Sequence, residues 1–264
     1  MISVAPRLSV LTPAYNSERT LRESVASALG QTEASLEVIV VDDGSRLRAE
    51  EVLAEITDPR LRVVRHPSNL GISAARNTGL RNARAPFVAY LDADDVWEPE
   101  YAATVLAHFD DPAVGLVYTN AWLIGHPLGK ELFFADESAH PIDRFPDFAE
   151  RNPIPSLTAT MRTSALREAG GYARWLRVVS DYHMHVRLIM HGWRFSYVAQ
   201  PLARYRWPSP RHGASWDTRV VDHDLIKMWL AFVLRHPTVP GPRYQLRMRL
   251  ASELKRAAHR PRAG

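Results

Sequence analysis

Two acidic segments of the sequence have the residue types and spacing needed to bind a divalent cation and a phosphorylated ligand. Residues 92–95, Asp-Ala-Asp-Asp, follow an apolar run at 87–91, and residues 42–45, Asp-Asp-Gly-Ser, follow another at 37–41. Two carboxylates one residue apart can face a single Mg²⁺ or Mn²⁺ ion, which prefers oxygen ligands and often shares them with substrate phosphates. Such an ion stabilises the charge that builds on a departing diphosphate.

The elements that must position these acids predict an α/β fold. We expect strands at residues 8–12, 37–41, 61–64, 87–91 and 114–118. Between them, apolar residues three or four apart, such as Leu21, Val25 and Ala28, predict helices. This alternation favours a mostly parallel central sheet with helices on both faces. Ligands bind beyond the carboxyl ends of such strands, so both acidic segments should meet at one edge.

The second half of the chain predicts a different mixture of elements. Residues 125–155 are rich in proline, glycine and aromatic residues and predict a long loop region. We expect strands at 157–162 and 195–198, and helices at 164–169, 181–192 and 220–234. Each acid that follows a strand also has a structural interpretation, because Asp often caps the next helix; Asp95 fits that interpretation as well as a binding role.

Composition limits the chemistry that this chain can perform. The 264 residues include no cysteine, which excludes disulfides, thiolate zinc sites and cysteine nucleophiles. The sequence contains neither an apolar run long enough to span a bilayer nor the pattern of a signal peptide, so we expect a cytoplasmic protein.

The C-terminal segment is basic, with seven Arg or Lys residues against Glu253 between Arg243 and Arg262. Leu246, Leu250 and the basic residues beside them predict an amphipathic helix. This helix either contacts an anionic membrane from the cytoplasmic side or packs against the rest of the chain; we expect no nucleic acid partner.

The spacing of several segments resembles that of the family 2 glycosyltransferases, which have the glycosyltransferase A fold, a Rossmann-like α/β fold. The segments that carry the resemblance are residues 13–16, 31–32, 42–45, 69–79 and 92–95. The resemblance implies three parts: a nucleotide-sugar-binding half at 1–120, an acceptor-binding half of the same domain at 121–218, and a C-terminal helical extension at 219–264.

The resemblance also implies residue roles on the donor side. Pro13 and Tyr15 would line the nucleoside pocket, and Asp43 would hydrogen-bond the base. Arg76 would contact the base or the phosphates, and Asp92 the ribose. Gly71 begins a predicted helix, where a residue without a Cβ lets the chain approach a ligand closely.

Metal binding and proton transfer fall on three further residues. The resemblance implies that Asp94 binds Mg²⁺ or Mn²⁺, and His212 is a candidate third ligand, although a loop histidine is the simpler interpretation. Asp181 stands where the family carries its general base, at the start of a predicted helix whose dipole favours a carboxylate. A helix cap is the alternative for Asp181. Ser180 and His183 depart from the family pattern, which leaves the acceptor undefined.

The function that the resemblance implies is transfer of one sugar, with inversion, from a nucleoside diphosphate sugar to a hydroxyl acceptor. UDP is the default nucleotide, with dTDP and GDP as alternatives. The acceptor is a glycan, a lipid-linked sugar or another molecule, as in bacterial polysaccharide biosynthesis. The processive-synthase pattern Gln-x-x-Arg-Trp is absent. One alternative is a nucleotidyltransferase, which would need a glycine-rich basic loop after the first strand. The other is a non-catalytic sugar-nucleotide-binding protein, because a fold alone does not establish activity.

Overall fold

The chain forms an eight-stranded sheet with helices on both faces, seen here in a computed structural model. The structure describes residues 5–126, 128, 131–134, 148, 152, 154–207, 218–236, 242–243 and 245–250. The strands are β1 (Leu8–Ala14), β2 (Leu36–Asp42), β3 (Leu61–Arg65), β4 (Phe87–Tyr90), β5 (Val96–Trp97), β6 (Val114–Ile124), β7 (Ala159–Arg162) and β8 (Arg194–Arg206). Their order across the sheet is β3-β2-β1-β4-β7-β6-β8-β5.

The described helices lie in the connections between these strands, apart from the last one, which follows β8. They are α1 (Leu21–Leu29), α2 (Ala49–Val52), α3 (Ile72–Asn82), α4 (Tyr101–Ala107), α5 (Thr163–Glu168), α6 (Ser180–Met190) and α7 (Thr218–Arg235). A short 3₁₀ turn, Ser156–Thr158, precedes β7. The predicted α/β class is therefore confirmed, with strands and helices alternating through the first half.

Strand direction changes only in the second half of the sheet. β1 pairs in parallel with β2 and β4, and β2 pairs in parallel with β3. β7 then enters antiparallel between β4 and β6, while β6 and β8 are parallel and β5 is antiparallel to β8. The carboxyl ends of β1, β2, β4 and β8 thus lie at one edge.

Both faces of the sheet are covered by apolar side chains, which explains why its central strands are buried. Along β1, Leu11 packs into one cluster with residues of α3, α5, α6 and α7, whereas Leu8 and Val10 pack into a second with residues of α1 and α4. Successive side chains of a strand point to opposite faces, so the near-continuous apolar runs follow from burial on both sides.

Several predicted elements differ from the observed ones. β8 runs from Arg194 to Arg206, far beyond the predicted 195–198, because its pairing with β6 continues past a register shift near Pro201. The two-residue strand β5 has no sequence signal of its own and forms through pairing with β8. Residues 157 and 158, the first two of the strand predicted at 157–162, belong instead to the 3₁₀ turn. Most of the loop predicted at 125–155 lies outside the described residues.

The start of the C-terminal extension packs on the main body of the chain. Trp229 and Phe232 of α7 are buried against α6, where the rings of Trp229 and Tyr182 are 5.8 Å apart. Further on, Arg249 forms an ion pair with Asp222 at 2.9 Å. These contacts support packing for the described part of the segment. None of the helices in the described ranges combines the length and apolar character that a bilayer-spanning segment requires.

Candidate active site

A cavity of about 520 Å³ opens beyond the carboxyl ends of β1 and β2. Pro13 and Tyr15 line it from the end of β1, and Asp43 lines it from just after β2. The segment before α3 and the loop before α6 supply the facing wall. β2 pairs with one side of β1, and β4 pairs with the other side. The strand order therefore reverses at β1, and the cavity lies at this switch point, where α/β sheets bind ligands.

Hydrogen bonds join the ends of β1 and β2 beneath this cavity. The backbone N–H of Asn16 donates to Ser45 Oγ at 3.0 Å, and the N–H of Arg46 donates to Asn16 Oδ1 at 2.9 Å. Asn16 has φ 51°, a left-handed conformation that asparagine tolerates. At Gly44, with φ 77°, an added Cβ would lie 2.5 Å from the carbonyl carbon of Ser68. Glycine is therefore required at this crossing.

Asp43 is buried and shapes the wall of the cavity with its carboxylate. One oxygen lies 2.6 Å from His66 Nδ1 and accepts the N–H of Leu70 at 2.9 Å, and the other accepts the N–H of Gly71 at 2.8 Å. His66 Nε2 in turn lies 2.9 Å from Thr78 Oγ1. A carboxylate has about four lone-pair sites, so three contacts leave one for a ligand.

Gly71 begins α3 with φ 89°, and an added Cβ there would meet nothing within 4 Å. The positive φ, rather than lack of space, favours glycine at this position. Because the empty side of Gly71 faces the cavity, a ligand can approach the backbone at the start of the helix.

Arg76 lies behind the rim of the cavity, buried between the rings of Tyr90 and Tyr172. Its guanidinium carbon is 5.5 Å from each ring centre, and Nη2 donates to Ser156 Oγ at 2.7 Å. The nearest carboxylate oxygen of Asp92 is 3.5 Å away. Arg76 therefore places a buried positive charge beside the acids that follow β4.

The acids after β4 differ in exposure and partners. Asp94 is exposed, and its pKa is raised by desolvation and by the neighbouring Asp92. Asp95 is buried and accepts the backbone N–H of Arg206 at 2.8 Å, while Arg206 Nε donates to the carbonyl of Asp94 at 2.9 Å. The helix-cap interpretation of Asp95 is therefore wrong, because this carboxylate ties the segment to the end of β8.

The donor set after β4 fits a shared metal site rather than a closed one. Among the described residues, no three His, Cys, Asp or Glu side chains are grouped to hold an ion by themselves. Asp92 and Asp94 instead fit the arrangement in which one or two carboxylates share Mg²⁺ or Mn²⁺ with substrate phosphates. The candidate ligand His212 lies outside the described residues.

Asp181 lies in the first turn of α6, near Arg76. Its carboxylate accepts the N–H of Tyr182 at 2.8 Å, and Asn152 Nδ2 approaches it at 3.4 Å. Burial raises the pKa of Asp181, and the charge of Arg76 offsets this only in part. The residue before the helix is Val179, which provides no side-chain cap, so the simple cap interpretation of Asp181 does not hold.

Two histidines of α6 are buried in neutral form on the same side of the molecule. Burial lowers the pKa of His183 to about 3 and that of His185 to about 3. His183 packs against the ring of Trp175 at 5.3 Å, and His185 Nδ1 lies 3.4 Å from Asn152 Oδ1. Asn152 thus lies between His185 and Asp181, and the histidines form no metal set.

The predicted donor residues Pro13, Tyr15, Asp43 and Gly71 line one cavity, and Arg76 and Asp92 form a pair beside it. Arg174 and Arg177, which were not predicted as site residues, line the same cavity from the loop before α6. Their charge was the only signal in the sequence, because no periodic pattern shows which way a loop residue points.

The fold and the site define an α/β protein with a ligand-sized cavity at the switch point of its sheet, and comparison with known proteins adds the family. Residues 9–162, more than half of the chain, match the profile of Glycosyl transferase family 2. The chain therefore belongs to glycosyltransferase family 2.

Curated relatives and solved structures extend this result. The pre-mycofactocin glycosyltransferase of Mycobacterium tuberculosis is 30% identical over 253 residues, covering 89% of this chain and 49% of the relative. The chain thus spans about half the length of that relative. S. aureus TarS in complex with UDP-GlcNAc has a TM-score of 0.73 at 18% identity, covering 92% of this chain and 71% of that one.

A second solved structure shares the fold. The mannosyltransferase PcManGT of Pyrobaculum calidifontis, in complex with GDP-Man and Mn²⁺, has a TM-score of 0.67 at 21% identity, covering 98% of this chain and 77% of that one. At these identities both structures show the glycosyltransferase A fold alone. The predicted fold family is therefore confirmed.

Proposed function

We propose that the protein transfers one sugar from a nucleoside diphosphate sugar to a hydroxyl group of an acceptor. The observation that carries this proposal is the position of the cavity and the acids together. The cavity lined by Tyr15 and Asp43 opens at the same edge of the sheet as Asp92, Asp94 and the first turn of α6. A nucleotide in the cavity would direct its diphosphate toward those acids.

On the donor side, we propose that the nucleoside occupies the part of the cavity beside Tyr15 and Asp43. Tyr15 is exposed and can stack on the base, and the remaining lone pair of Asp43 can accept a hydrogen bond from it. Arg76 forms an ion pair with Asp92. The contact of Arg76 with the base or the phosphates stays a prediction. UDP is the first candidate nucleotide, because the TarS structure contains UDP-GlcNAc. An Escherichia coli relative that is 38% identical over 90 residues is also named for UDP-Glc. GDP is the next candidate, because the PcManGT structure contains GDP-Man.

The metal proposal rests on the carboxylates after β4. Asp94, with Asp92 beside it, would hold Mg²⁺ or Mn²⁺, which supplies Lewis-acid stabilisation to the leaving diphosphate when bound. The backbone of Asp94 is fixed by Arg206, which also forms an ion pair with Glu23 of α1 at 2.9 Å. This bracing fixes the backbone that carries the Asp94 carboxylate.

On the acceptor side, we propose that Asp181 is the general base. The acceptor oxygen attacks the anomeric carbon, its proton passes to Asp181, and the bond to the diphosphate breaks with its electron pair leaving on the nucleoside diphosphate. One direct displacement inverts the configuration. The raised pKa of Asp181 makes its ionised form a stronger base than an ordinary carboxylate, which suits this role.

Asp94→Ala tests the proposal in a sugar-transfer assay with UDP-sugars and GDP-sugars at varied Mn²⁺. We expect wild-type turnover that depends on the metal and a loss of at least about 100-fold in the variant, since metal stabilisation contributes several kcal/mol. The exposed Asp110→Asn, far from the site, is the control. Full activity of Asp94→Ala would refute the metal assignment, and release of pyrophosphate from a nucleoside triphosphate would favour the nucleotidyltransferase alternative.

Membrane contact through the basic C-terminal segment stays a prediction. The ion pair of Arg249 with Asp222 and the packing of Leu246 against the main apolar cluster support a packed start to this segment. Residues 251–264 lie outside the described part of the chain.

A further inference from the structure

The loop between α5 and α6 forms the wall of the cavity opposite Tyr15 and Asp43. Three of its side chains, those of Arg174, Leu176 and Arg177, line the cavity. Leu176 is buried, whereas both arginines are exposed. The loop therefore presents two cationic groups to the space that we propose holds the donor.

The loop is anchored at its start by α3. Asn77 Nδ2 donates to the carbonyl of Tyr172 at 2.8 Å, and Asn77 Oδ1 accepts the N–H of Tyr172 at 2.7 Å. An added Cβ at Gly171, which has φ 73°, would lie 2.7 Å from Asn77 Oδ1. Glycine at this position lets the loop backbone approach α3 closely enough for both bonds.

The loop is anchored again at the three residues that follow Trp175. Ser73 Oγ donates to the carbonyl of Leu176 at 3.3 Å. Asp224 of α7 accepts the backbone N–H groups of Arg177 at 2.6 Å and of Val178 at 2.8 Å with one carboxylate oxygen. Because Asp224 is 1% exposed, it is a fixed buried acceptor, and α7 thereby sets the position of the cavity wall.

The charges in the cavity are unbalanced. Within the described ranges, neither Arg174 nor Arg177 has a carboxylate partner, although most arginines of the structure form ion pairs or hydrogen bonds. The acid that lines the cavity, Asp43, is committed to His66 and to the backbone before α3. Guanidinium groups without acids in a concave site favour an anionic ligand, and they match phosphate oxygens in geometry.

We propose that Arg174 and Arg177 bind phosphate oxygens of the donor nucleotide, and that Asp224 is a positioning residue that holds their loop against the cavity. This inference rests on the proposed function, since it names further donor contacts of the same site. It assigns α7 a part in donor binding, although no residue of α7 lines the cavity.

The first test removes the charges and measures binding by calorimetry. The probe is whichever of UDP, dTDP and GDP binds the wild type most tightly, together with its uncharged nucleoside. In the double variant R174Q/R177Q we expect the dissociation constant of the diphosphate to rise about 10- to 100-fold, and that of the nucleoside to stay within twofold. R174K/R177K should recover part of the loss, because lysine keeps the charge.

The control is R7Q/R194Q, which removes the same charge at the opposite edge of the sheet. Unchanged diphosphate affinity in R174Q/R177Q would overturn the inference, as would an equal loss for the nucleoside or for the control. A wild type that binds none of the three diphosphates would instead overturn the proposed function, so the two failures are distinguishable. Both arginines are exposed, so the variant is not expected to disturb folding.

The second test addresses Asp224 in the transfer assay. In Asp224→Asn we expect the donor KM to rise about 3- to 30-fold while kcat at saturating donor stays within twofold, because donor binding pulls the loosened loop back into place. The matched control is Asp222→Asn, another buried acid of α7, which pairs with Arg249. A fall in kcat with unchanged KM, or the same KM change in Asp222→Asn, would overturn the positioning role.

Discussion

Asp42 and Asp181 are two acids at the same edge of the sheet whose surroundings shift their pKa in opposite directions. Burial works to raise the pKa of Asp42, but the N–H groups of Ser45 and Ala49 and the charge of Arg65 outweigh it, so the net pKa is lowered. At Asp181, burial prevails over the partners that the carboxylate has, and the pKa is raised.

The difference separates a scaffold around Asp42 from the reactive centre that we propose around Asp181. Asp42, at the end of β2, has enough donors to remain charged at low cost, and it fixes the backbone of the turn that follows. On the acceptor side, burial disfavours charge on acids and bases alike, since His183 and His185 are held neutral while the pKa of Asp181 is raised. Ionisable groups with strongly shifted pKa values are found most often at functional sites.

The largest effect that tests this comparison is expected for Asp181→Asn. Removal of a general base costs about 10²- to 10⁴-fold in rate. The folded state raises the pKa of Asp181, so its ionised form lowers stability above that pKa, and the amide removes this cost. We therefore expect turnover to be lost while the thermal midpoint is unchanged or higher, measured by sugar transfer and calorimetry.

Nucleotide binding should stay near that of the wild type in Asp181→Asn, and Asp110→Asn serves as the control for both measurements. A clear fall in the thermal midpoint with activity retained would show that Asp181 is a structural acid like Asp42, and the contrast between the two regions would be lost.

The sequence predicted the scaffold better than the reactive side, for a physical reason. Strands such as β1 and β2 are buried on both faces, so local apolar runs report them directly. The length of β8 and the existence of β5 depend on pairing with strands distant in the chain, which leaves no local pattern.

The same distinction applies to the site. Asp43 and Gly71 stand at strand and helix ends, where sequence position fixes location. Arg174 and Arg177 lie in a loop whose position is set by Asn77 on one side and Asp224 on the other. Neither anchor can be inferred from the loop itself.

A smaller effect is expected at Asp43, and it should appear mainly in stability. An amide in Asp43→Asn would turn a donor toward His66 or toward the N–H groups before α3, so we expect a loss of about 2 kcal/mol in the free energy of unfolding. For a chain of this size that is roughly 4–8 °C in the thermal midpoint. Thermal unfolding of Asp43→Asn measures this shift, with Asp181→Asn measured in parallel. An unchanged midpoint in Asp43→Asn would contradict the scaffold role of Asp43.

The smallest effect concerns the pH dependence of stability on the acceptor side. A histidine with a pKa of 6.5 when unfolded and about 3 when folded stabilises the protein fully above pH 6.5. As the pH falls from there toward 3, the unfolded state takes up the proton first, and stability drops by about 1.4 kcal/mol per pH unit for each such histidine.

In His183→Phe, which keeps a ring against Trp175 and Phe232, we expect the slope of unfolding free energy between pH 6.5 and 5 to decrease by about that amount. The same measurement on His108→Phe, at an exposed position, is the control. Equal slopes for the wild type and His183→Phe would mean that His183 is free to take up a proton in the folded state, and that this side of the molecule tolerates charge as well as the scaffold does.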